Sequence, residues 1–362
     1  MRAGRPVTLA DVAREAGVAK STASYAFSDP DRLAADTTRR VREAAARLGY
    51  SGPSALGRAI ASGRTSVVAV VTRALLEAPN TDPHALQVID GLSRELASLG
   101  YGVLLLPPIT DAATHKLHAR AMYDAAVTVR RIDGIPETDV MLAQRGVPWV
   151  RLDGVPDDDR AVLMDAVTPS MQILRSLVDD GHERIATVTL RLGIEETAMH
   201  IVDGRAAAAL IEGLPSSVPQ RVPRARIEAF ARLGIAPSHI VSCSIVTRED
   251  GYAAGMALLS LPVHERPTAI VCHADVYAWG VSDAARERGL RVPEDVSITG
   301  FDGLVGGVFD DLNLTTVVQD GAAKGRLVAR WVTLAAEGSD EPPPFALQAS
   351  VRWGSSTGPA GA

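Results

Sequence analysis

The chain has 362 residues, 46% of them hydrophobic but only 4% aromatic, a length and composition that predict two to three α/β-type domains with large cores. It has no apolar run long enough to cross a membrane, and its first residues are charged where a signal peptide is apolar, which predicts a cytoplasmic protein. Residues 1–64 carry ten Arg and one Lys against six acidic residues, so a basic segment of net charge +5 precedes a remainder of −11.

Residues 1–50 contain the pattern of a helix-turn-helix. Thr8 and Asp11 form a plausible cap for a first helix, and Gly17 supplies the left-handed residue of a sharp turn. The second helix is predicted from about Lys20 to Ser28. Its pattern places Val18, Ala23 and Phe27 in the core. The side chains on its outer face are Lys20, Ser21, Ser24 and Tyr25. A basic all-α head of this kind indicates nucleic-acid binding.

A third helix is predicted from about Thr37 to Leu48, capped by Asp36 and ended by Gly49. Residues 51–65 then open with turn residues, contain a short helix-capable centre and end in Gly-Arg-Thr. They are predicted to be a hinge linker between two domains.

From residue 66 onward, β-rich runs alternate with helical stretches. The runs include VVAVV, GVLLLPP, PWVRL, RIATVTL, TAIVCH and SITGF. This alternation predicts parallel sheets with helices on both faces, and residues 66–354 are enough for two such lobes, with a break near residues 160–165. The small-residue tail, residues 355–362, is predicted to be disordered. Cys243 and Cys272 have no metal spacing and are expected to be buried.

Residues 7–50 read VTLADVAREAGVAKSTASYAFSDPDRLAADTTRRVREAAARLGY. This segment resembles the N-terminal DNA-binding domain of the LacI/GalR family of transcription regulators. Further matches to the same family are DGHERIATVT, RPTAIVCHADVYAWG, RVPEDVSITGFDG and LTTVVQDG. The resemblance spans nearly the whole chain. It implies an N-terminal all-α helix-turn-helix DNA-binding domain plus an α/β periplasmic-binding-protein-like core of two doubly wound lobes.

The resemblance also implies roles for individual residues of the head. Lys20, Ser21 and Tyr25 are expected to read base edges in the major groove, and phosphate contacts are expected from Thr8, Thr22 and Ser24. In the hinge, Ile60 is expected to enter the minor groove. Three positions depart from the family: Ala19 replaces a capping Ser, Tyr25 replaces a common Arg, and Ile60 replaces the usual Leu.

Effector binding is implied between the two lobes, at the carboxyl ends of the strands. Asp302 is the expected anchor, because a carboxylate accepts hydrogen bonds from the hydroxyl groups of a sugar. Other expected contributors are Asp153, Phe301, Gln319 and one cleft arginine, either Arg221 or Arg224. Asp275 either caps the helix Val276–Arg288, which is favoured, or contacts the effector.

The match to sugar-responsive members is incomplete. Ala274 stands where many of them have Asn, and Asp82-Pro83-His84 replaces Asn-Pro-Phe. These changes remove an amide and a stacking ring. A nucleoside, an antibiotic-like metabolite or a site without an effector therefore stays an alternative to a sugar.

An enzyme and a solute-binding protein on the same core fold are the rival functions, with a purely structural core as a third. His115 and His118 lie at i and i+3 without a third ligand, and no nucleophile or phosphate loop is apparent, so neither catalysis nor a metal or cofactor is expected. The basic head argues against a secreted solute-binding protein. We predict a repressor that binds operator DNA as a homodimer under control of a small-molecule effector, a sugar or related metabolite.

Overall fold

The structure is a computed structural model that describes residues 7–52, 57, 59, 62–72, 82–129, 136–152, 161–162, 164–190, 200–203, 221–243, 245–339 and 347–361. The chain divides into two compact units, residues 1–66 and 67–362. None of the described helices combines the length and the apolar content that crossing a membrane requires.

The N-terminal unit is a small helical bundle. Its elements are α1 (Leu9–Ala16), α2 (Lys20–Ser28), a 3-10 turn (Pro30–Arg32) and α3 (Ala35–Leu48). The helices bury a core of small side chains: Val12, Ala13, Ala16, Ala23, Ala26, Val41, Ala44 and Ala45. Gly17 and Gly49 end α1 and α3 with positive φ angles of 65° and 69°, as expected for left-handed C-caps. The predicted helix-turn-helix is confirmed.

The start of α3 differs from the prediction. The helix begins at Ala35 rather than Thr37, and the N-cap position is Ala34, which offers no side-chain hydrogen bond. Asp36 is therefore not the cap; it lies in the first turn and forms an ion pair with Arg39. A carboxylate in the first turn still interacts favourably with the helix dipole, so the same residue supports the helix in a different way.

The first lobe of the core unit is built on a parallel sheet. Its elements are β1 (Val67–Val71), α4 (Pro83–Ser98), β2 (Gly102–Leu106), α5 (Ala112–Arg120), β3 (Ala125–Val129), α6 (Pro136–Gln144), β4 (Trp149–Leu152) and β5 (Ala161–Val162). Among the described residues the strand order is β2-β1-β3-β4-β5, with every pair parallel.

The second lobe is built on a larger, mixed sheet. The elements that follow β5 along the chain are β6 (Met164–Asp165), α7 (Val167–Asp179), β7 (Ile185–Leu190), β8 (His200–Asp203), α8 (Arg221–Arg232), β9 (His239–Cys243), α9 (Arg248–Leu259), β10 (Ala269–Cys272), α10 (Asp275–Glu287), β11 (Ser297–Asp302), α11 (Val308–Leu312), β12 (Thr315–Val318), α12 (Gly321–Ala336), β13 (Leu347–Gln348) and β14 (Ser350–Arg352). The order in the described chain is β14-β12-β11-β10-β7-β9-β8; β8 and β14, at the two edges, are antiparallel to their neighbours. Strands β6 and β13 pair separately.

Helices cover both faces of both sheets, because alternate strand residues are apolar on each side. In the first sheet, Val68 and Val70 pack toward α4 and α12, whereas Ala69 and Val71 pack on the opposite face. Cys243 and Cys272 are buried in the second lobe as predicted. The two doubly wound lobes of the predicted fold class are confirmed.

Helix α12 returns the chain to the first lobe. It follows β12 of the second sheet, yet packs on α4 and the first sheet. The two helices approach so closely that a Cβ atom at Gly325 would overlap the Val88 carbonyl oxygen. The carboxyl ends of β11 and β12 thus lie where the chain passes between lobes.

The prediction of a disordered tail is wrong for residues 355–361. The Ile298 N–H donates to the Ser356 carbonyl (2.8 Å), and the Ser356 hydroxyl donates to the Ile298 carbonyl (2.6 Å). His182 donates through Nε2 to the Gly358 carbonyl (2.9 Å). The tail is therefore hydrogen-bonded to the second lobe. Many of these hydrogen bonds use backbone groups of the tail, and a composition of small residues gives no sign of them.

Candidate DNA-binding helix and effector site

Helix α1 begins with the predicted cap. The Thr8 hydroxyl accepts from the Asp11 N–H (3.4 Å), and the Asp11 carboxylate accepts from the Thr8 N–H (3.0 Å), which completes a capping box. The Thr8 hydroxyl also donates to Asp11 Oδ2 (2.6 Å). Thr8 is exposed, so its hydroxyl both orders the first helix and faces solvent.

Helix α2 exposes the three side chains predicted to read bases. Lys20, Ser21 and Tyr25 are exposed, whereas Thr22 and Ser24, the expected phosphate contacts, are half-buried. The Tyr25 ring is 39% exposed, and the Arg32 guanidinium lies 5.4 Å from its centroid, which limits the orientations of the ring.

The start of α2 has no side-chain cap, because Ala19 occupies the N-cap position. The N-cap residue therefore accepts no hydrogen bond through its side chain from the first N–H groups of the helix. Ile60 of the hinge lies outside the described residues, so its expected role stays a prediction.

Asp302 is the centre of a buried polar site at the carboxyl end of β11. It is 7% exposed and has a φ of 117°, a backbone conformation that is strained for an aspartate and is held here by its surroundings. Gln319, which follows β12, donates through Nε2 to Asp302 Oδ1 (2.5 Å). Two of the predicted effector residues are thus brought together.

Burial dominates the electrostatics of Asp302. Desolvation raises the pKa of its carboxyl to about 8, because the ionised form is poorly solvated. Arg226 opposes this shift, whereas the carboxyls of Asp275 and Asp82 add to it. At neutral pH the Asp302 carboxyl is mainly protonated, and it can donate one hydrogen bond and accept others.

The favoured role of Asp275, the cap of the helix Val276–Arg288, is wrong. Helix α10 begins at Asp275 itself, and the N-cap is Ala274 without a side-chain bond. The Asp275 carboxylate instead accepts from the Leu304 N–H (2.6 Å) and the Thr316 hydroxyl (2.6 Å). It ties α10 to the segment after β11 and to β12. Burial raises its pKa to about 6, while these hydrogen bonds lower it.

The cation at this site is Arg226 on α8, which the sequence reasoning missed. Its Nη2 lies 3.9 Å from Asp302 Oδ1, and its Cζ lies 3.5 Å from the centroid of the Phe301 ring. Phe301 is thus a buried platform beneath the guanidinium. The side chains of Arg221 and Arg224 lie outside the described residues. Arg226 lies two residues from Arg224 on the same helix, so sequence alone does not show which of the two faces the site.

The remaining predicted position, Asp153, also lies outside the described residues. Asp82, at the N-terminus of α4 in the first lobe, contributes to the electrostatics of Asp302, so both lobes border the site. Within the described part of the chain, no group of three or more His, Cys, Asp or Glu is arranged to hold a metal ion. The side chains present, two carboxyls, an amide and a guanidinium, suit a polar organic ligand.

Both the N-terminal unit and the core unit of the chain match known protein families. Residues 8–52 match the family described as bacterial regulatory proteins, lacI family, and residues 174–357 match the periplasmic binding protein-like domain. An HTH-type transcriptional regulator of Mycolicibacterium smegmatis is 33% identical over 335 residues, which cover 89% of this chain and 88% of that protein. The HTH-type transcriptional repressor CytR of Escherichia coli is 30% identical and covers 88% of this chain and 86% of its own.

Solved structures show the same fold. The Lac repressor dimer bound to operator and the anti-inducer ONPF has a TM-score of 0.75 and 22% identity, with 98% of this chain and 100% of that chain covered. A complex of the transcriptional regulator CelR with cellobiose has a TM-score of 0.63 and 24% identity, with 97% and 100% covered.

Proposed function

Because this chain belongs to the LacI family of bacterial regulatory proteins and is a DNA-binding transcription regulator, we propose which of its residues read the operator and which hold the effector. In this proposal a homodimer binds a pseudo-palindromic operator through α2. A small hydroxyl-rich molecule, bound at Asp302 and Arg226, changes that affinity. As a regulator it works in the cytoplasm, where bacterial operator DNA lies, and it catalyses no reaction.

The operator is read by Lys20, Ser21 and Tyr25, while Thr8, Thr22 and Ser24 contact phosphates. The proposal is supported by the exposure of the first three side chains on one helix. The Lac repressor in the solved complex is a dimer on its operator. Two equivalent helices in a dimer contact two half-sites, so the operator has two-fold symmetry.

Substitution of Tyr25 separates base reading from phosphate contact. Tyr25→Ala is expected to relax base preference at one position of each half-site, by about 1–3 kcal/mol, whereas Thr22→Ala weakens binding to all operators by a similar factor. Fluorescence anisotropy with an operator and its single-base variants measures both effects. Equal losses for every variant operator in both mutants would contradict the assigned roles.

The hinge couples effector binding to DNA through Ile60, which enters the minor groove at the operator centre. Ile60→Gly removes both the apolar wedge and helix propensity in the hinge, and is expected to reduce operator bending. Gel phasing of the bound operator measures the bend. An unchanged bend would return Ile60 to the role of a linker residue.

The effector site is supported above all by one observation, the buried pairing of Asp302 with Arg226 over Phe301. A carboxyl, a guanidinium and the Gln319 amide close together match the vicinal hydroxyls of a polyol, which donate and accept in pairs. Buried polar groups of this kind are costly unless a ligand or the protein satisfies them.

A thermal-shift screen with D-galactose, cellobiose and adenosine tests the ligand class. A compound that binds only the native state raises its stability, and the shift is expected to disappear in Asp302→Ala. Asp310→Ala, an exposed carboxylate on the short helix α11, is the control and is expected to keep the shift. A compound that shifts wild type and Asp302→Ala equally would show that the anchor lies elsewhere.

A further inference from the structure

His273 lies at the junction of β10 and α10, with its ring buried between two threonines of β7. Its Nδ1 is 2.7 Å from the Thr189 hydroxyl, and its Nε2 is 3.2 Å from the Thr187 hydroxyl. The side chain is nearly inaccessible to solvent. Both ring nitrogens are therefore used within the second sheet, and neither is directed at the effector site.

The hydrogen bonds determine the tautomer of this ring. The Thr187 hydroxyl has one proton and donates it to the Val271 carbonyl (2.9 Å), so toward His273 it can only accept. Nε2 must then carry the ring proton, and Nδ1 accepts from the Thr189 hydroxyl. Burial, and then the charge of Arg226, hold the pKa of His273 well below its usual range, so the ring is neutral.

The backbone of the same residue contacts the effector site. Arg226 Nη1 donates to the His273 carbonyl. The Phe301 ring and Asp302 also lie beside this guanidinium, and Asp275 lies close enough to influence the Asp302 charge. The His273 carbonyl thus belongs to a residue of the β10–α10 junction whose side chain is hydrogen-bonded to a different strand, β7.

We propose that His273 is a positioning residue for Arg226: its neutral Nε2–H ring, held by Thr187 and Thr189, fixes the carbonyl that keeps the guanidinium on Phe301 and facing Asp302. The importance for effector binding rests on the function proposed above. A guanidinium that is already oriented loses little freedom when a ligand arrives, so a loosened one binds more weakly.

Two matched substitutions separate this role from simple core packing. Thr189→Val replaces the hydroxyl with a methyl of the same shape and leaves Nδ1 without its donor. Thr299→Val makes the same change on β11 of the same sheet, at a hydroxyl that is buried and has no hydrogen-bond partner within the described parts of the chain. Both variants remove one buried hydroxyl, but only the first reaches His273.

Nitrogen-15 NMR of the full chain, labelled in histidine and arginine, measures the outcome without any effector. We expect wild-type His273 as the Nε2–H tautomer with no titration between about pH 6 and 8. The hydrogen exchange of the Arg226 guanidinium is expected to be about tenfold faster in Thr189→Val and unchanged in Thr299→Val. The guanidinium signal of Arg226 is assigned by its absence from the spectrum of Arg226→Lys. An Nδ1–H tautomer, or an exchange rate in Thr189→Val equal to wild type, would overturn the proposal.

Binding of the probe compounds then separates the two proposals. A compound from the screen above is expected to bind about fivefold more weakly to Thr189→Val than to Thr299→Val. If no sugar or nucleoside binds while the exchange difference is found, the proposed effector class is wrong and the role of His273 stands. Equal affinities of the two variants for the compound would show that His273 does not contribute to effector binding.

Discussion

Replacing Asp302 with asparagine is expected to change how the stability of the core depends on pH. The folded carboxyl has a pKa of about 8 against an ordinary value of 3.8. Between those values the folded state holds a proton that the unfolded state has lost. Stability therefore falls as pH rises through this range, and it is highest below about pH 4 as far as this group is concerned.

The size of the effect follows from one proton. A difference of one bound proton changes the free energy of unfolding by about 1.4 kcal/mol per pH unit, so Asp302 contributes a fall of at most about 3 kcal/mol between pH 5 and 7. Asparagine does not titrate, and its amide carbonyl still accepts from Gln319. It also tolerates a positive φ better than aspartate does. Asp302→Asn should flatten the slope by about 1–3 kcal/mol over this interval.

Urea unfolding at pH 5, 6 and 7, followed by tryptophan fluorescence, measures this slope. All four tryptophans lie beyond residue 66, so the signal reports the core unit alone. Protein concentration is held constant because a dimer is stabilised by association. Asp275→Asn serves as a comparison: with a pKa of about 6, Asp275 itself affects the slope mainly below pH 6, and loss of its charge also lowers the pKa of Asp302. Identical slopes for wild type and Asp302→Asn between pH 6 and 7 would refute the reasoning.

Three further predictions concern the two units separately. Ala19→Ser should supply the missing cap of α2 and stabilise the N-terminal unit by about 1 kcal/mol, measured by thermal unfolding followed by circular dichroism; an unchanged midpoint would contradict it. Thr8→Ala should cost this unit about 1 kcal/mol, whereas Thr8→Ser keeps the hydroxyl and should cost little; equal losses would show that the cap is not the cause. Ser356→Ala removes a buried hydroxyl bonded to Ile298 and Thr315, and should lower the free energy of unfolding of the core by about 1–3 kcal/mol in urea, an effect absent if the tail is disordered.

The elements of the N-terminal unit could be predicted because their signals are local. The cap at Thr8, the glycine at position 17 and the apolar spacing of the first helix all act within a few residues. The start of α3 was misplaced because Asp36 is a good cap residue by type, while the chain conformation puts Ala34 at that position. Residue type alone does not decide between two adjacent helix starts.

The effector site was only half predictable, because its partners come from separate elements. Asp302 and Gln319 end neighbouring strands, so their proximity follows from a parallel sheet. Arg226 lies on a helix whose rotation decides which arginine faces the site, and rotation depends on packing. The hydrogen bonds of Asp275 to Leu304 and Thr316 likewise exist only once the strands are assembled. Tertiary contacts, not local propensity, determine these roles.

Selection of binding sites from a random duplex library by the full-length protein tests the central claim most directly. A two-fold dimer that reads DNA through Lys20, Ser21 and Tyr25 should enrich one pseudo-palindrome, with half-sites a fixed distance apart. Tyr25→Ala should enrich a related palindrome altered at one position of each half-site. Enrichment of no sequence above non-specific binding, or of a single half-site without a symmetric mate, would contradict the account.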